Sequence, residues 1–451
     1  MASRPGGGWP KSPFLLLAAL AILMPSASTA QATSYHVLYS FKGNPDGAEP
    51  EAGLVIDKDG ALYGTTFAGG TSKLGTVFEL TPTTAVPWEE TVLHNFGGAD
   101  GEYPASALVF GSTGALYGAT GGGGGGAGAI FELAPPSTTG GAWTETVLYA
   151  FGGGQNVYPN GGVLIGPGGT LYTTTRGSAV GGIGPNLGLV IALAPPATPG
   201  GEWTEDQLYT FGYPQGELPL AGVVAKGGSL FGTTWYAGDV NCGLGGCGTV
   251  YELAAPATVG GAWTETTIHT FTGRPGDGGG SAATLTVGPG GVLYGTTAYG
   301  GSGACTTGNS GLEGCGTIFQ LTPPAEPGGA WTDSVLYSFT GINGDGSYPV
   351  ASVVVGKNGA LYGTTQYGGN VTSVCPSSYY VLGGCGIVFE LTPPTAPGGA
   401  WTETILHDFT GQNGDGGLPV ASLALSSTGV LYGTTSAGGA AGKGTVFAVK
   451  P

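Results

Sequence analysis

The chain has 451 residues, of which 95 are glycine and 32 are proline, and only 9% are charged. This composition is typical of a turn-dense, strand-rich protein and excludes a coiled coil or a helical bundle. The formal net charge of −17 excludes an electrostatic attraction to nucleic acid or to anionic membranes.

The first 32 residues differ from the rest of the chain. Arg4 and Lys11 precede an apolar run over 14–24, and residues 30–32 read Ala-Gln-Ala, the pattern of a signal-peptidase site. We therefore predict a cleavable signal peptide over 1–32 and a mature protein over 33–451, either extracellular or periplasmic. An uncleaved N-terminal anchor is the alternative. No later apolar run approaches the roughly 18 residues that a membrane helix needs, so we expect no membrane span in the mature chain.

The mature chain is a tandem repeat. Each copy reads roughly D-G-x-x-P-x-A-x-L, then G-x-L-Y-G-T-T, then G-T-V-F-E-L-T-P-P, then G-x-W-T-E-T-V-L-Y-S-F. A unit this short cannot bury its own apolar face, so neighbouring copies must pack together. The last phenylalanine of each copy marks the register: Phe41, Phe96, Phe151, Phe211, Phe271, Phe339 and Phe409.

Each copy predicts four strands. In the sixth copy they fall at 351–355, 361–365, 388–392 and 401–409, and each run is aromatic or β-branched with glycine or proline at its ends. Four antiparallel strands repeated seven times predict an all-β fold, a seven-bladed β-propeller.

The order of the repeats favours a closed ring. The mature chain begins with a lone fourth-type strand over 36–41 and ends with a third-type strand over 445–449. Pairing these two would complete the last blade and cover an exposed edge. An open solenoid would need capping repeats, and the sequence contains none that is recognisable.

The core L-Y-G-T-T…G-T-V-F-E-L, repeated over 36–449, resembles the GloVer repeat family of secreted bacterial proteins. The resemblance implies an extracellular protein without an established activity. Many family members carry a C-terminal surface anchor, whereas this sequence departs from that pattern at Pro451, so both a free and a surface-attached protein stay open. The blade layout is also similar to that of NHL-type and sugar-lactonase-type propellers.

The six cysteines form three local pairs at one repeat position, between the second and third strands. In a secreted chain an even number of cysteines indicates disulfides, and the spacing offers no four-ligand zinc site. We predict disulfides between Cys242 and Cys247, Cys305 and Cys315, and Cys375 and Cys385. We expect no metal in these loops.

A ring of Asp-Gly turns precedes the first strands. The five aspartates are Asp46, Asp100, Asp277, Asp345 and Asp415. Asp-Gly is ordinary turn chemistry, in which the carboxylate caps nearby backbone N–H groups. Five carboxylates near one channel mouth could also bind a cation, so calcium stays an open alternative, although the further ligands of a calcium loop are lacking. No other cofactor is expected.

The loops of blades 4 to 6 break the symmetry of the repeat. They are longer, carry the cysteines, and share an aromatic position where blades 1 and 7 have alanine. Because functional residues concentrate on variable loops, we predict ligand contacts at Trp235, Tyr236, Asp239, Tyr299 and Tyr367. These residues would form an exposed aromatic wall, or the tyrosines would fill space beneath the loops.

Two recurring sets are interpreted as scaffold. A tryptophan recurs in the turn before the fourth strand and is expected to pack blade against blade. His94, His269 and His407 replace the tyrosine of L-Y-S-F within a strand, and we expect them to pack there as well.

Three functions fit these features. The first is a secreted binding module for an extracellular glycan or protein, using one propeller face. The second is a structural or protein-interaction platform at the cell surface. The third is a polysaccharide hydrolase or lyase that uses paired aspartates; the repeats single out no catalytic residue. We expect a monomer.

Overall fold

A computed structural model describes residues 1–2 and 33–451, except 139, 153–157, 178–186, 199, 240–241, 243–244, 259, 274–275, 307–312, 327, 371–374, 376–382 and 397. Residues Thr33–Pro451 form one compact unit. The proposed signal peptide, apart from its first two residues, lies outside the described residues. Among the described residues, no helix is long and apolar enough to cross a membrane.

The compact unit is a seven-bladed β-propeller, as predicted, and each blade is an antiparallel sheet with four main strands. The first strands, which line the central channel, are Val55–Ile56, Val109–Phe110, Leu164–Ile165, Val224–Lys226, Thr286–Val287, Val354–Val355 and Ala424–Leu425. The second strands are Leu62–Thr66, Leu116–Thr120, Leu171–Arg176, Ser229–Thr233, Leu293–Thr297, Leu361–Thr365 and Leu431–Thr435. The third strands are Thr76–Thr81, Gly126–Ala134, Leu189–Ala194, Thr249–Ala254, Thr317–Thr322, Ile387–Thr392 and Thr445–Lys450. The fourth, outer strands are Glu89–Asn95, Thr144–Gly152, Thr204–Thr210, Thr264–Thr270, Thr332–Ser338, Thr402–Asp408 and, in blade 7, Ser34–Ser40.

Shorter elements complete the fold. Two-residue strands lie at Tyr158–Pro159, Gly278–Gly279, Tyr299–Gly300, Gly346–Ser347, Tyr367–Gly368, Gly416–Gly417 and Ala437–Gly438. Three 3-10 turns precede second strands, at Pro167–Gly169, Pro289–Gly291 and Lys357–Gly359. The described residues contain no α-helix.

The two ends of the chain close the ring, as the sequence predicts. Strand Ser34–Ser40 pairs antiparallel with Thr445–Lys450, so that Ser34 lies opposite Lys450 and Ser40 opposite Thr445. Blade 7 therefore takes its outer strand from the start of the chain. The Thr434 hydroxyl donates a hydrogen bond of 3.1 Å to the Ala52 carbonyl, which ties blade 7 to blade 1.

The core lies between adjacent blades. The repeat phenylalanine that follows each outer strand is buried, and it meets an aromatic ring on the third strand of the next blade edge to face in six of the seven copies. Phe41 lies 5.1 Å from Phe78 in this way, and Phe409 lies 5.1 Å from Phe447. Such edge-to-face pairs are favoured by the ring quadrupoles. This contact explains why the phenylalanine recurs and why no blade folds alone.

The glycine of L-Y-G-T-T makes room for these rings. A Cβ placed on Gly64 would lie 2.7 Å from Cζ of Phe78 and 2.8 Å from Cδ2 of Leu54, both of which are buried. Since interiors are close-packed, no larger residue fits without shifting the core.

The first strands are shorter than predicted. In blade 6 the ladder covers only Val354–Val355, whereas the sequence pattern predicts a strand over 351–355. The Ala351 carbonyl instead accepts a hydrogen bond of 3.1 Å from the Thr296 hydroxyl of blade 5. The innermost segment thus bonds to its neighbouring blade rather than within its own sheet.

Candidate functional site

One face of the propeller carries two sets of loops. The turns before the first strands, here called leading turns, pair with the loops that follow the second strands. Residue pairs joined in this way are Ala48 and Ala68, Glu102 and Gly122, Glu217 and Tyr236, Gly279 and Tyr299, Ser347 and Tyr367, and Gly417 and Ala437. We call this face the turn face. The turns with the recurring tryptophan lie on the opposite face.

The aspartates of the leading turns hold those turns in shape. In Asp345, one carboxylate oxygen accepts hydrogen bonds from the Thr340 backbone N–H (2.7 Å) and hydroxyl (2.6 Å). Its other oxygen accepts from the Gly346 N–H at 2.7 Å. Asp277 and Asp415 make the same three contacts. These carboxylates therefore cap their own turns, as Asp-Gly turn chemistry predicts.

The same aspartates also bond to the outer strand. The Tyr39 hydroxyl donates to Asp46 at 2.7 Å, and Nε2 of His94 lies 2.8 Å from Asp100. Histidine can replace tyrosine at this position because both can donate a hydrogen bond to the aspartate. The histidines also pack as expected, since His94 meets Phe96 edge to face. The sequence did not reveal this pairing.

Hydrogen bonds set the charge state of one aspartate in particular. Burial alone would raise the pKa of Asp415, but hydrogen bonds from His407, Tyr35 and the Thr410 backbone outweigh it and lower the pKa to about 2. This carboxylate is therefore ionised over the physiological pH range.

An acid from the next blade reaches the same place. It stands two residues after the recurring tryptophan, and we call this set the seam acids: Glu90, Glu145, Glu205, Glu265, Asp333 and Glu403. The Tyr337 hydroxyl donates to Glu403 at 3.2 Å, and Tyr209 donates to Glu265 at 3.5 Å. These acids are visible in the sequence as the glutamate of the repeated W-T-E. An acid within a strand does not by itself predict contacts with the neighbouring blade.

Three of the seam acids are held in surroundings that disfavour their ionised form. Burial, and then the charge of the nearest leading-turn aspartate, raises the pKa of Glu90, Glu145 and Glu403 to about 7. Each of these, and Asp333, has one buried carboxylate oxygen without a hydrogen-bond partner among the described residues.

Two of these seams bring three ligand-type atoms within 4.8 Å of one another. The groups are His94 with Asp100 and Glu145, and His269 with Asp277 and Asp333. Each provides three donors, one short of the four that a structural zinc site uses.

The aromatic residues of blades 4 to 6 form a continuous row. Trp235 lies 5.6 Å from Tyr299, Tyr299 lies 5.3 Å from Tyr348, and Tyr348 lies 5.7 Å from Tyr367, measured between ring centroids. We call these four residues the aromatic arc. Tyr348, on a leading turn, was not among the predicted ligand contacts. Tyr348 directly precedes the repeat proline, outside the loops in which the sequence predicts ligand contacts.

Of the two alternatives for the tyrosines, filling space beneath the loops describes two of them. Tyr299 and Tyr367 are only 6% and 8% exposed, because loops and neighbouring rings cover them. Trp235 and Tyr348 are half-buried, as is Tyr236, whose ring centroid is 6.4 Å from that of Trp235. The buried tyrosines therefore support the half-buried members of the arc.

The three predicted disulfides are confirmed. The Cα atoms are 5.4 Å apart in Cys242–Cys247, 5.0 Å in Cys305–Cys315 and 5.3 Å in Cys375–Cys385. Half-buried Asp239 lies beside the first, and its carbonyl accepts a hydrogen bond from the Cys242 N–H at 3.3 Å. Much of the remaining length of these loops lies outside the described residues.

Each disulfide contacts the leading turn of the next blade. A Cβ on Gly341 would lie 2.8 Å from Sγ of Cys305, and one on Gly411 would lie 2.7 Å from Sγ of Cys375. Each disulfide therefore packs its own loop against the leading turn of the next blade, next to the aromatic arc.

The central channel opens beside the arc. It forms a cavity of about 700 Å³ lined by the residues just before the first strands and by the first residue of five of those strands. Among the described residues that line it, Glu51 alone is charged. Burial, and then the charge of Glu49, raises the pKa of Glu51 to about 7. Trp235 and Tyr348 do not line this cavity themselves, but Val350, two residues after Tyr348, does.

Comparison with known proteins gives a family and distant structural likenesses. A family model described as the Gloeobacter/Verrucomicrobia repeat matches residues 27–244 and 304–451. No match was found among curated protein sequences.

Three solved structures illustrate the distant likenesses. A luciferin-regenerating enzyme is 15% identical, with 82% of this chain and 98% of that one covered and a TM-score of 0.41. A gluconolactonase from Xanthomonas campestris is 12% identical, with 93% and 89% covered and a TM-score of 0.39. The polysaccharide lyase Uly1 is 10% identical, with 91% of each chain covered and a TM-score of 0.45.

Proposed function

The chain belongs to the Gloeobacter/Verrucomicrobia repeat family, and we propose that it is an extracellular binding module that recognises a glycan on its turn face. Secretion is part of the proposal. It is supported by the signal-like pattern over 1–32 and by three disulfides, which persist in oxidising compartments.

The observation that carries the proposal is the aromatic arc. Trp235, Tyr299, Tyr348 and Tyr367 span three blades with ring centroids 5.3–5.7 Å apart. Trp235, Tyr299 and Tyr367 lie in the loops that break the symmetry of the repeat. Aromatic rings offer an apolar face and, in tyrosine and tryptophan, a polar edge. That combination suits a sugar ring, which has C–H faces and hydroxyl edges. The half-buried Trp235 would provide the main stacking surface.

The arc is also preorganised. Buried Tyr299 and Tyr367 fix its base, the Tyr299 and Tyr348 hydroxyls lie 3.3 Å apart, and disulfides hold the adjoining loops. A rigid surface loses little conformational entropy on binding, which favours affinity.

The test is retention of the mature chain, residues 33–451, on a panel of insoluble polysaccharides, with calcium and with chelator. We expect retention without release of reducing ends. Trp235→Ala should weaken retention at least tenfold with little change in the thermal midpoint. Phe67→Ala is the matched control, because Phe67 occupies the equivalent position in blade 1 and stacks on Tyr103 at 5.1 Å.

Other outcomes would decide against the proposal. Equal retention of Trp235→Ala and the unmodified chain would remove the arc from the site. Release of reducing ends would indicate a hydrolase or lyase instead. No retention on any polysaccharide would favour the protein-interaction platform.

A further inference from the structure

The wall of the central channel differs between its two sides. One residue per blade, directly after the repeat proline or its equivalent, lines the cavity: Glu51, Ala105, Asn160, Leu220, Ala282, Val350 and Val420. The polar members belong to blades 1 and 3. The large apolar members belong to blades 4, 6 and 7. The channel mouth is therefore polar on one side and apolar on the other.

The polar side chains of this ring are not used by the fold. Within the described part of the chain, neither Glu51 nor Asn160 makes a side-chain hydrogen bond or an ion pair. By contrast, the leading-turn aspartates and the tyrosines of L-Y-G-T-T are bonded within the scaffold, as in the 2.8 Å contact of Tyr63 with Glu79. A carboxylate and an amide that line a cavity without protein partners are available to a ligand.

The negative charge of the site favours a positively charged ligand. Within the described part of the chain, Glu51 is the one ionisable residue that lines the cavity, and the charge acting on it is that of Glu49, another carboxylate. The protein as a whole is also acidic, with a net charge of −17. A positively charged hydrogen-bond donor would remove the electrostatic cost of ionising Glu51 in this position.

The shape of the site favours an ammonium group on a carbon chain over a metal ion. Calcium takes six to eight oxygen ligands. The described lining offers the side chains of Glu51 and Asn160, whereas its serine and threonine hydroxyls hydrogen-bond within the scaffold. An ammonium group has three donors, and an attached carbon chain would bury apolar surface on Leu220, Val350 and Val420. We propose that the channel mouth binds a small aliphatic primary amine, with its ammonium group on Glu51 at the polar side and its carbon chain against the apolar side.

Proton release should accompany binding. Because burial and Glu49 raise the pKa of Glu51 to about 7, the free carboxyl is largely protonated at pH 6. An ammonium group binds the ionised form, so binding would lower this pKa and release a proton. We therefore expect affinity to rise from pH 6 to pH 8.

The experiment is calorimetric titration of residues 33–451 with n-pentylamine, with n-pentanol as the uncharged analogue and calcium chloride alone as a further arm. We expect binding of the amine that is several-fold tighter at pH 8 than at pH 6, with proton release seen in buffers of different ionisation heat. Pentanol should bind at least tenfold more weakly. Glu51→Gln should weaken amine binding at least tenfold.

The control variant is Glu326→Gln, which removes one carboxylate charge from an exposed turn on the opposite face. It should leave amine binding unchanged. Equal affinity for pentanol, full binding by Glu51→Gln, or a Glu51-dependent response to calcium alone would overturn the proposal. If Glu51→Gln does not fold, the carboxyl carbon signal of Glu51 in the unmodified chain replaces it. An unchanged titration of that signal with saturating amine would also overturn the proposal.

Discussion

Replacing Glu90 by glutamine should stabilise the protein at neutral pH but not at acidic pH. Glu90 is a half-buried seam acid, and one of its carboxylate oxygens is buried without a hydrogen-bond partner among the residues that the structure describes. Burial, and then the charge of Asp46, raises its pKa from the ordinary 4.5 to about 7, although Lys42 and a hydrogen bond from Tyr39 oppose the shift. The folded state thus binds a proton more tightly than the unfolded chain does.

The sign and size of the effect follow from this difference. Below pH 4.5 both states are protonated, so the favourable contribution of Glu90 is fully present, and it is lost as pH rises through about 7. A shift of about 2.5 pKa units corresponds to about 3.4 kcal/mol, which solvent screening at a half-buried site reduces to about 1.5 kcal/mol. A neutral glutamine avoids this loss and can donate its N–H to a nearby carboxylate.

The assay is urea denaturation at pH 4.5 and at pH 8. We expect Glu90→Gln to raise the free energy of unfolding by about 1.5 kcal/mol at pH 8 and to change it by less than about 0.5 kcal/mol at pH 4.5. Glu89→Gln is the control, since Glu89 is the exposed neighbour on the same strand. Its effect should be small and the same at both pH values. An equal gain for Glu90→Gln at both pH values, or a loss at pH 8, would refute the electrostatic reasoning.

Two further predictions concern the scaffold. Gly64→Ala places a Cβ within 2.8 Å of buried Phe78 and Leu54 atoms, so it should lower the unfolding free energy by about 1–3 kcal/mol. Gly152→Ala is the control, because open space surrounds Gly152 and the substitution should not lower stability. Equal thermal midpoints for the two variants would contradict the packing argument. A chain that begins at Lys42 lacks the closing strand and leaves the edge of Thr445–Lys450 unpaired. Its thermal midpoint should be lower, and light scattering should detect self-association. A midpoint equal to that of residues 33–451 would show that ring closure does not stabilise the fold.

Sequence patterns predicted the fold well because the same order of strands and turns recurs in seven copies. The L-Y-G-T-T and F-E-L runs predicted the second and third strands, which begin and end within a residue or two of the predicted positions in blade 6. The lone strand at 36–41 predicted ring closure, and Ser34–Ser40 does pair with Thr445–Lys450. The first strands were overestimated, because apolar patterning cannot show that a carbonyl such as that of Ala351 bonds to the neighbouring blade.

The site was predicted less completely, because its contacts join residues from different blades. The symmetry-breaking loops indicated Trp235 and Tyr299, but the ring of Tyr299 packs against Tyr348, which lies about fifty residues further along the chain. The pairing of His94 with Asp100 explains an exchange of tyrosine for histidine that the sequence presented as packing alone. Glu51 differs from its six counterparts by a charge, and only the ring geometry places that position in the channel.

The outer strand of blade 7 is the one outer strand that no loop joins to its own blade. Backbone hydrogen bonds to Thr445–Lys450 hold it there, and at the register of the seam acids it carries Tyr35. The Tyr35 hydroxyl donates to Asp415 at 2.7 Å, and its ring stacks on His407 at 3.4 Å. Burial and Asp415 raise the pKa of Tyr35, so this side chain stays neutral over the range near pH 7 in which Glu90, Glu145 and Glu403 ionise. The outer strand that closes the ring therefore contributes no pH-dependent charge at the position where those three strands do.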